Sequence, residues 1–265
     1  MVNARSLRKE DINMTDAKTL AYINMYGILG AIENLCELDE EASKLAQVKK
    51  PVTVGIYVKD GPQAKLTFKN GRCRMEQGCE NCQVVLPFGS CEKFNGLIDG
   101  TVTPLPSQGF TKIGFLLNNF TKITDILSGY LRPEPEKLND PKFFEISTKM
   151  LFYVVTVAIS QIANNDSIGQ FSASNTPDGI IKVSIKDSVA ATIRVNGGHF
   201  VTIKQAPESF RSKMEFGSLK LANDLFAGNV NAVACIGTGD IEMGGMIAMI
   251  DNVNRILDRV GLYLA

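Results

Sequence analysis

The residues best suited to metal or redox chemistry are the cysteines. Four of the six fall within nineteen residues, at Cys73, Cys79, Cys82 and Cys91. Cys79 and Cys82 have the two-residue gap of a zinc knuckle or a cluster ligand pair. Cys73, however, lies in an alternating strand pattern, and Cys91 opens a helix. We therefore predict buried thiols, with no metal and no cofactor, and keep a zinc or iron–sulfur site at this cluster as an alternative.

Other residues of catalytic type have no evident partners. The single histidine, His199, follows two glycines at the start of a strand pattern, and no base or orienting group is indicated near it. Ser90 precedes Lys93 with S-x-x-K spacing, but Ser90 and Ser218 both stand where a helix N-cap is expected. The glycines between 237 and 245 do not have the dinucleotide spacing. We predict that the protein is not an enzyme.

Composition excludes several classes of function. Lys+Arg and Asp+Glu both number 28, so the chain offers no basic footprint for nucleic acid. Glu10 and Asp11 interrupt the place where a signal peptide needs its apolar core. The longest apolar run, Leu151–Ile159, is far shorter than the ~20 residues of a membrane span. These features predict a cytoplasmic protein without a transmembrane segment. They are compatible with transient contact between the protein and a membrane.

An apolar helix at the end of the chain is matched by an earlier one. Its residues follow four-three spacing: Met246, Ile250, Val253, Leu257, Val260 and Leu264. The same spacing occurs 130 positions earlier, at Leu116, Phe120, Ile123, Leu127 and Tyr130. This pair of stripes indicates an internal duplication.

Further matches extend the repeat over most of the chain. Lys59-Asp60 corresponds to Lys186-Asp187, and Phe88-Gly89-Ser90 to Phe216-Gly217-Ser218. A Pro- and Glu-rich stretch after Arg132 reads as a stiff linker. We predict a first repeat at 1–132, a linker at 133–140 and a second repeat at 141–265. The second copy has no cysteines matching Cys73–Cys91.

Each copy shows the same order of elements. An opening helix (16–38 and 141–162) precedes alternating strands with hairpin turns at Asn70-Gly71 and Asn196-Gly197. A short helix, a strand (101–105 and 230–236), a glycine turn, a short strand and the long helix follow. This pattern predicts an α+β fold with a roughly five-stranded, mainly antiparallel sheet in each half. The second opening helix is apolar nearly all round, so we expect it to pack between the halves of a pseudo-dimer.

The motifs of the second copy resemble the sterol carrier protein type two family. They are Met214-Glu215-Phe216, a short helix, Ala227-Gly228-Asn229, and Gly239-Asp240-Ile241-Glu242-Met243-Gly244 before an apolar helix. Residues 180–264 show the resemblance well, and residues 52–131 more loosely. The first copy departs from it at Pro104-Leu105-Pro106, because proline cannot donate to a strand ladder.

The resemblance implies a tunnel between sheet and C-terminal helix that holds a fatty acid, acyl thioester or sterol. Its predicted lining in the second copy is Ile241, Met243, Met246, Ile247, Met249, Ile250, Val253 and Leu257. The first-copy equivalents are Phe110, Ile113, Leu116, Phe120, Ile123 and Leu127. Methionine adapts to variable apolar ligands, so we expect the methionine-lined copy to hold the open pocket. The predicted function is a lipid-binding or carrier protein, with an interaction scaffold of filled cores as an alternative.

Overall fold

The computed structural model describes residues 15–264, apart from the side chain of Val233. Contacts divide the chain into two compact units. The first unit is Ala21–Met150, and the second unit joins the described chain up to Leu20 with the chain from Leu151 onward. The predicted repeat boundaries and the duplication behind them stay predictions. The signal-peptide prediction concerns residues outside the described range.

The first half of the described chain carries four strands and a helix at each end. Helix α1 covers 17–38 and is α-helical at Ala17–Tyr22 and Ile32–Leu38, with a π turn at Ile23–Ile28 and a 3-10 turn at Leu29–Ala31. The elements that follow are α2 (Glu40–Leu45), β1 (Val52–Val58), β2 (Gln63–Lys69), β3 (Arg72–Gln77), β4 (Val84–Phe88), α3 (Cys91–Ile98) and α4 (113–131). Helix α4 contains a π turn at Leu116–Phe120, and a 3-10 turn at Phe110–Lys112 precedes it.

The second half begins with the long helix α5 (Pro141–Asn165). The remaining elements are α6 (Ser167–Ser174), β5 (Gly179–Ile185), β6 (Ala190–Asn196), β7 (His199–Ile203), β8 (Ser212–Phe216), α7 (Leu219–Phe226), α8 (Ala232–Thr238), β9 (Ile241–Gly245) and α9 (Ile247–Leu264). Asp16 and Asp140 cap the two opening helices, since their carboxylates accept from Thr19 N (2.8 Å) and Phe143 N (2.9 Å).

The sheets confirm the α+β fold class. Their orders are β3-β2-β1-β4 and β7-β6-β5-β8-β9. In both, the first strand in sequence is central, antiparallel to the second and parallel to the fourth. One parallel pairing in each sheet makes them mixed, and among the described residues only the second sheet reaches the five strands predicted for both.

Turns at matching positions of the two halves have the same geometry. Asp60 (φ 58°) and Asp187 (φ 55°) both adopt a left-handed conformation after the central strand. The preceding residues, Lys59 and Lys186, each donate a backbone hydrogen bond of 2.9 Å, to Phe88 O and Phe216 O. A non-glycine residue with positive φ is uncommon, so this shared backbone path is a specific likeness.

One predicted hairpin turn is displaced by a residue. Asn70 and Gly71 both have positive φ (50° and 75°), which confirms the predicted turn between β2 and β3. In the second sheet Asn196 pairs with His199, and the turn residues are Gly197 and Gly198. The third position of the Asn-Gly-Gly run therefore supplies the second left-handed residue, and Asn196 ends β6.

Three predicted strands are wrong. The run predicted at 230–236 is a helix, α8, because the Asn231 side chain accepts from Ala234 N and Gly239 ends it with φ 82°. Residues 101–105 form no strand. The segment equivalent to β9, near Phe110, is a 3-10 turn, and just before it Gln108 bridges to Val85 while Ser107 N donates to Val85 O (2.9 Å).

Pro87 lies in β4, at the edge where the first sheet has no fifth strand among the described residues. Lys59 N donates to Phe88 O, so Phe88 faces β1, and the backbone nitrogen of Pro87 faces the open edge. The matching residue of β8 is Glu215, 128 positions later. Gly217 N donates to Asp240 O across the β8–β9 ladder, so the N–H of Glu215, two residues earlier, also faces β9. Proline has no N–H to offer there.

Helix α5 is apolar, yet it carries a row of polar groups toward edge strand β7. Thr202 Oγ1 donates to Thr156 O (2.7 Å) and lies 2.6 Å from Ser160 Oγ. Asn164 pairs with the backbone of Phe200 through both amide atoms, at 2.8 and 2.9 Å. By length and composition α5 could cross a membrane, but 78% of its most apolar window is buried within the protein, a property shared by core helices.

Candidate functional site

A groove in the second unit lies between edge strand β9 and the start of α9. Its volume is about 300 Å³. The lining residues are Met243, Gly244, Gly245, Ile247, Ile250, Asp251 and Asn254. On α9, positions 247, 250, 251 and 254 share one face because residues three and four apart are helix neighbours.

Hydrogen bonds from strand β8 fix the start of α9 beside β9. Strand β9 pairs with β8 over five residues, from Phe216–Ile241 to Ser212–Gly245, and its other edge stays open. The buried Ser212 hydroxyl accepts from Met246 N at 3.0 Å. Asn254 Nδ2 lies 3.5 Å from Met243 Sδ, so the helix also contacts the strand across the groove. One side of the groove is therefore the hydrogen-bonded strand β9, and the other side is the first turns of α9.

The apolar side chains of the groove are partly or wholly open to solvent. Ile247 is 83% exposed, and Met243 and Ile250 are half-buried. An aliphatic side chain at the mouth of a concave surface has apolar area that a ligand would cover. Of the predicted lining residues, Met243, Ile247 and Ile250 contribute to this groove.

The other predicted lining residues of the second copy lie elsewhere. Ile241, Met249 and Val253 are buried in the core, and Met246 and Leu257 are half-buried outside the groove lining. The buried face of α9 is Met249, Val253, Ile256, Arg259, Val260 and Tyr263. This face is rotated from the predicted stripe and shares Val253 and Val260 with it.

A buried charge network lies on this face of α9. Asp166, the N-cap of α6, accepts from Arg259 Nη2 (2.6 Å) and from the Tyr263 hydroxyl (2.7 Å). Its other oxygen accepts from Ile168 N and Gly169 N. Burial would raise the pKa of Asp166, but the hydrogen bonds from Arg259, Tyr263 and Gly169 together hold it below the usual value. We call the Asp166–Arg259–Tyr263 network the second latch, because it holds α9 on α6.

The first unit has a similar contact on helix α4. The Tyr130 hydroxyl donates to Asp39 Oδ2 (2.8 Å), while Asp39 Oδ1 accepts from Ala42 N and caps α2. Asp39 and Asp166 are 127 positions apart, within the range of the other repeat offsets. Burial, followed by the hydrogen bond to Asp39, raises the pKa of Tyr130. We call this pair the first latch.

The predicted lining of the first copy forms a packed core. Leu116, Phe120, Ile123 and Leu127 are each at most 9% exposed, and the Phe120 ring packs against Phe68 at 6.0 Å. Ile113 is half-buried. Phe110 is 66% exposed, because it lies in the 3-10 turn that replaces the predicted strand.

Charges around the groove are paired with one another. Lys213 Nζ lies 2.5 Å from Glu242 Oε1, and the hydrogen bond from Lys213 holds the pKa of Glu242 below its usual value. Asp251 pairs with Arg255 at 3.1 Å on α9. The arrangement joins an apolar floor to a polar rim, which suits an amphipathic ligand rather than a free ion.

The remaining candidate residues have structural roles or lie apart. Ser90 and Ser218 accept from Lys93 N (3.4 Å) and Leu221 N (3.1 Å), which confirms the predicted N-caps. His199 is exposed and lines a second, polar hollow of about 210 Å³. Across residues 15–264, no three His, Cys, Asp or Glu side chains come together in a way that could hold a metal ion.

Asp251 and Asn254 are groove residues that the sequence reasoning missed. The available signal was their spacing from Ile247, since positions four and seven residues on lie on the same helix face. A search for apolar residues alone passes over them.

A search of solved structures finds two sterol carrier protein domains among the similar proteins. One is described as a UbiJ-SCP2 ubiquinone synthesis protein, with 12% identity over 39% of this chain and 90% of that chain, and a TM-score of 0.31. The other is sterol carrier protein domain 2 of Helicoverpa armigera, with 14% identity over 48% of this chain and 92% of that chain, and a TM-score of 0.32.

These similarities fall in the family that the sequence motifs resemble. No family model and no curated protein sequence matches the chain. The identities are too low to carry a ligand or a residue's role over to this chain.

Proposed function

We propose that the protein is a non-catalytic, cytoplasmic lipid-binding or carrier protein, whose ligand lies in the groove between β9 and α9. The ligand class is a fatty acid, an acyl thioester or a sterol-like molecule. The observation that carries the proposal is Ile247, which is 83% exposed at a concave surface beside Met243 and Ile250.

The size of the groove sets how much ligand it holds. Pockets for small molecules range over roughly 300–1,000 Å³, so a groove of about 300 Å³ accepts part of an acyl chain rather than a whole lipid. Each methylene buried there would contribute about 0.8 kcal/mol. Methionine is unbranched and has three rotatable bonds, so Met243 could move to lengthen the groove when ligand enters.

The polar rim gives the ligand an orientation. Asp251 and Asn254 lie on the α9 side, and Gly244 and Gly245 belong to strand β9. The apolar end of the ligand would contact Ile247, Ile250 and Met243, with its polar end toward the rim and solvent. Because Asp251 is already paired with Arg255, the rim adds no net charge for a headgroup.

One observation favours the scaffold alternative. Leu117, which matches Ile247 at the repeat offset of 130, is 65% exposed but does not line the groove. Exposed aliphatic residues at matching positions would also suit contact with a protein partner. The pair Leu117 and Ile247 therefore supplies matched variants that separate the two functions.

The test is displacement of a fluorescent fatty acid, compared between Ile247→Asp and Leu117→Asp. Both positions are exposed, so both variants should fold. Burying an isoleucine is worth about 1.5–3 kcal/mol, so Ile247→Asp should weaken binding roughly 10- to 100-fold. Leu117→Asp should bind like the wild type.

Two results would contradict the proposal. One is the absence of lipid in native mass spectra of freshly purified protein, together with no displacement at tens of micromolar. The other is an equal loss of binding in the two variants, which would move the apolar contact away from the groove.

A further inference from the structure

Two cysteines meet over the outer face of the first sheet. In β1, Val54, Ile56 and Val58 are buried, and Gly55 faces the opposite side, under the loop that joins β3 to β4. A Cβ built on Gly55 would lie 3.0 Å from Cys82 Cβ and 3.2 Å from Cys79 Cβ. The two cysteine Cβ atoms are therefore no farther apart than the sum of those distances, about 6.2 Å.

This upper bound exceeds the Cβ separation of a disulfide by about 2–3 Å. Disulfide Cβ atoms lie roughly 3.5–4.5 Å apart, so a small loop movement and a side-chain rotation would bring the sulfurs into bonding range. Gly55 makes the approach possible, because any larger residue would occupy the place of Cys82 Sγ, 2.7 Å from that built Cβ.

The loop that carries the pair is tightly turned and held at its end. Gly78 and Asn81 both have positive φ, 82° and 55°, which bends the chain before and between the cysteines. Gln83 N donates to Thr53 Oγ1 (2.8 Å), and Gln108 Nε2 donates to Cys82 O (3.0 Å). These bonds keep Cys82 over β1, so Cys79 is the thiol with room to move.

The two thiols differ in access. Cys79 is half-buried, and its Sγ lies 3.5 Å from Gln63 Oε1 near the surface. Cys82 is 8% exposed, and burial, with Cys79 nearby, raises the pKa of its thiol. By contrast Cys36 is 3% exposed, and burial with Asp39 and Glu37 raises its pKa to about 12. Cys79 is thus suited to react first and Cys82 to react second.

We propose that Cys79 and Cys82 form a reversible dithiol–disulfide site whose oxidant is a low-molecular-mass disulfide. The Cys79 thiolate attacks the small disulfide, forming a mixed disulfide and releasing one small thiol. The Cys82 thiolate then attacks Cys79 Sγ, closing the protein disulfide and releasing the second small thiol. The protein dithiol is oxidised, one small disulfide is reduced to two thiols, and the two protein protons end on them.

The same pair does not form a closed zinc site by itself. A structural zinc needs four ligands, and no third His, Cys, Asp or Glu side chain joins Cys79 and Cys82 within residues 15–264. Two-thiol chemistry therefore accounts for the C-x-x-C spacing better than a tetrahedral metal does.

The experiment equilibrates the full-length protein with glutathione disulfide and counts thiols by alkylation and intact mass. The wild type should lose two thiols and become about 2 Da lighter, with a link between Cys79 and Cys82 in peptide maps. Cys82→Ser should stop at a glutathione adduct on Cys79. Cys79→Ser should react slowest, because its remaining loop thiol is buried. Cys36→Ser should behave as the wild type.

Three outcomes would overturn the proposal. They are the absence of an intramolecular disulfide at every glutathione ratio, a link that joins another pair of cysteines, and loss of two thiols by Cys79→Ser at the wild-type rate. Dithiothreitol should restore the reduced mass. These readouts are independent of lipid binding, so a negative result here would not bear on the proposed ligand groove.

Discussion

The two sheets share four strands in the same order and differ at one edge. In the second, β9 pairs with β8 over five residues, and a groove opens between β9 and α9. In the first, β4 carries Pro87, and Ser107 and Gln108 contact it at Val85 without forming a fifth strand. Of the residues 130 positions before the groove lining, Phe120 is buried and Leu117 is 65% exposed. The edge that carries the fifth strand offers a backbone N–H at Glu215, and the corresponding edge of the first sheet has none at Pro87.

We expect the largest difference between the two halves in how much stability each loses when the aspartate of its latch is mutated. Asp166→Ala removes the carboxylate that balances the Arg259 charge, and both side chains are at most 9% exposed. We expect a loss of about 3–5 kcal/mol in the free energy of unfolding. Asp39→Ala removes an N-cap and the Tyr130 hydrogen bond, with an expected loss of about 1–2 kcal/mol.

Urea denaturation followed by circular dichroism measures both losses. Equal losses in the two variants would show that Arg259 adds nothing to the second latch. Tyr263→Phe is a useful companion, since it removes one hydrogen bond and keeps the charge pair.

The edge of the second sheet should be sensitive to proline. Glu215→Pro removes the N–H that faces β9, so we expect a loss of about 1–3 kcal/mol and faster amide exchange across β9. Fatty-acid probe binding should fall with it, because β9 forms one wall of the groove. Unchanged exchange in β9 would mean that the ladder does not depend on this hydrogen bond.

The reverse change is the matched control. Pro87→Glu restores an N–H at an edge where no strand is paired, so we expect a stability change within about 0.5 kcal/mol. A large change in either direction would show that Pro87 acts on something besides the missing strand.

The smallest and most gradual effect should come from pH. The pKa of Asp166 is lower in the folded protein than in the unfolded chain. Its ionised form therefore stabilises the fold above the unfolded value of about 3.9, and this contribution is lost as pH falls through the folded pKa. The stability difference between wild type and Asp166→Asn should shrink on acidification. A difference that stays constant from neutral pH to pH ~2 would contradict the ion pair.

Local patterns predict much of the fold. The alternating strands, the capping residues Asp16 and Asp140, and the hairpin at Asn70-Gly71 all depend on neighbouring residues. The apolar run at 230–236 is compatible with a strand or a helix, because short apolar runs fit either structure. Asn231, which caps the start of α8, and Gly239, which ends it, are the residues that indicate a helix at this position.

The site was harder to predict than the fold. The four-three spacing predicts that α9 is amphipathic, but the face that it buries also carries Arg259, which pairs with Asp166, 93 positions earlier. Met249 and Val253 lie on that buried face, and Ile247 lies at the surface. Pro87 is likewise present in the sequence, but only the pairing of β4 with β1 shows that its backbone nitrogen faces the open edge of the sheet.

The paired amide of Asn164 covers part of the open edge of the second sheet. In the β6–β7 hairpin, the N–H and C=O of Phe200 point away from β6, where another chain could add a strand. Asn164 occupies both groups, as a short piece of strand would. In the first sheet Glu33 accepts from Met75 N on edge strand β3 in a similar way. A leucine at 164 would leave both backbone groups of Phe200 without these partners, so we expect Asn164→Leu to aggregate more readily than the wild type.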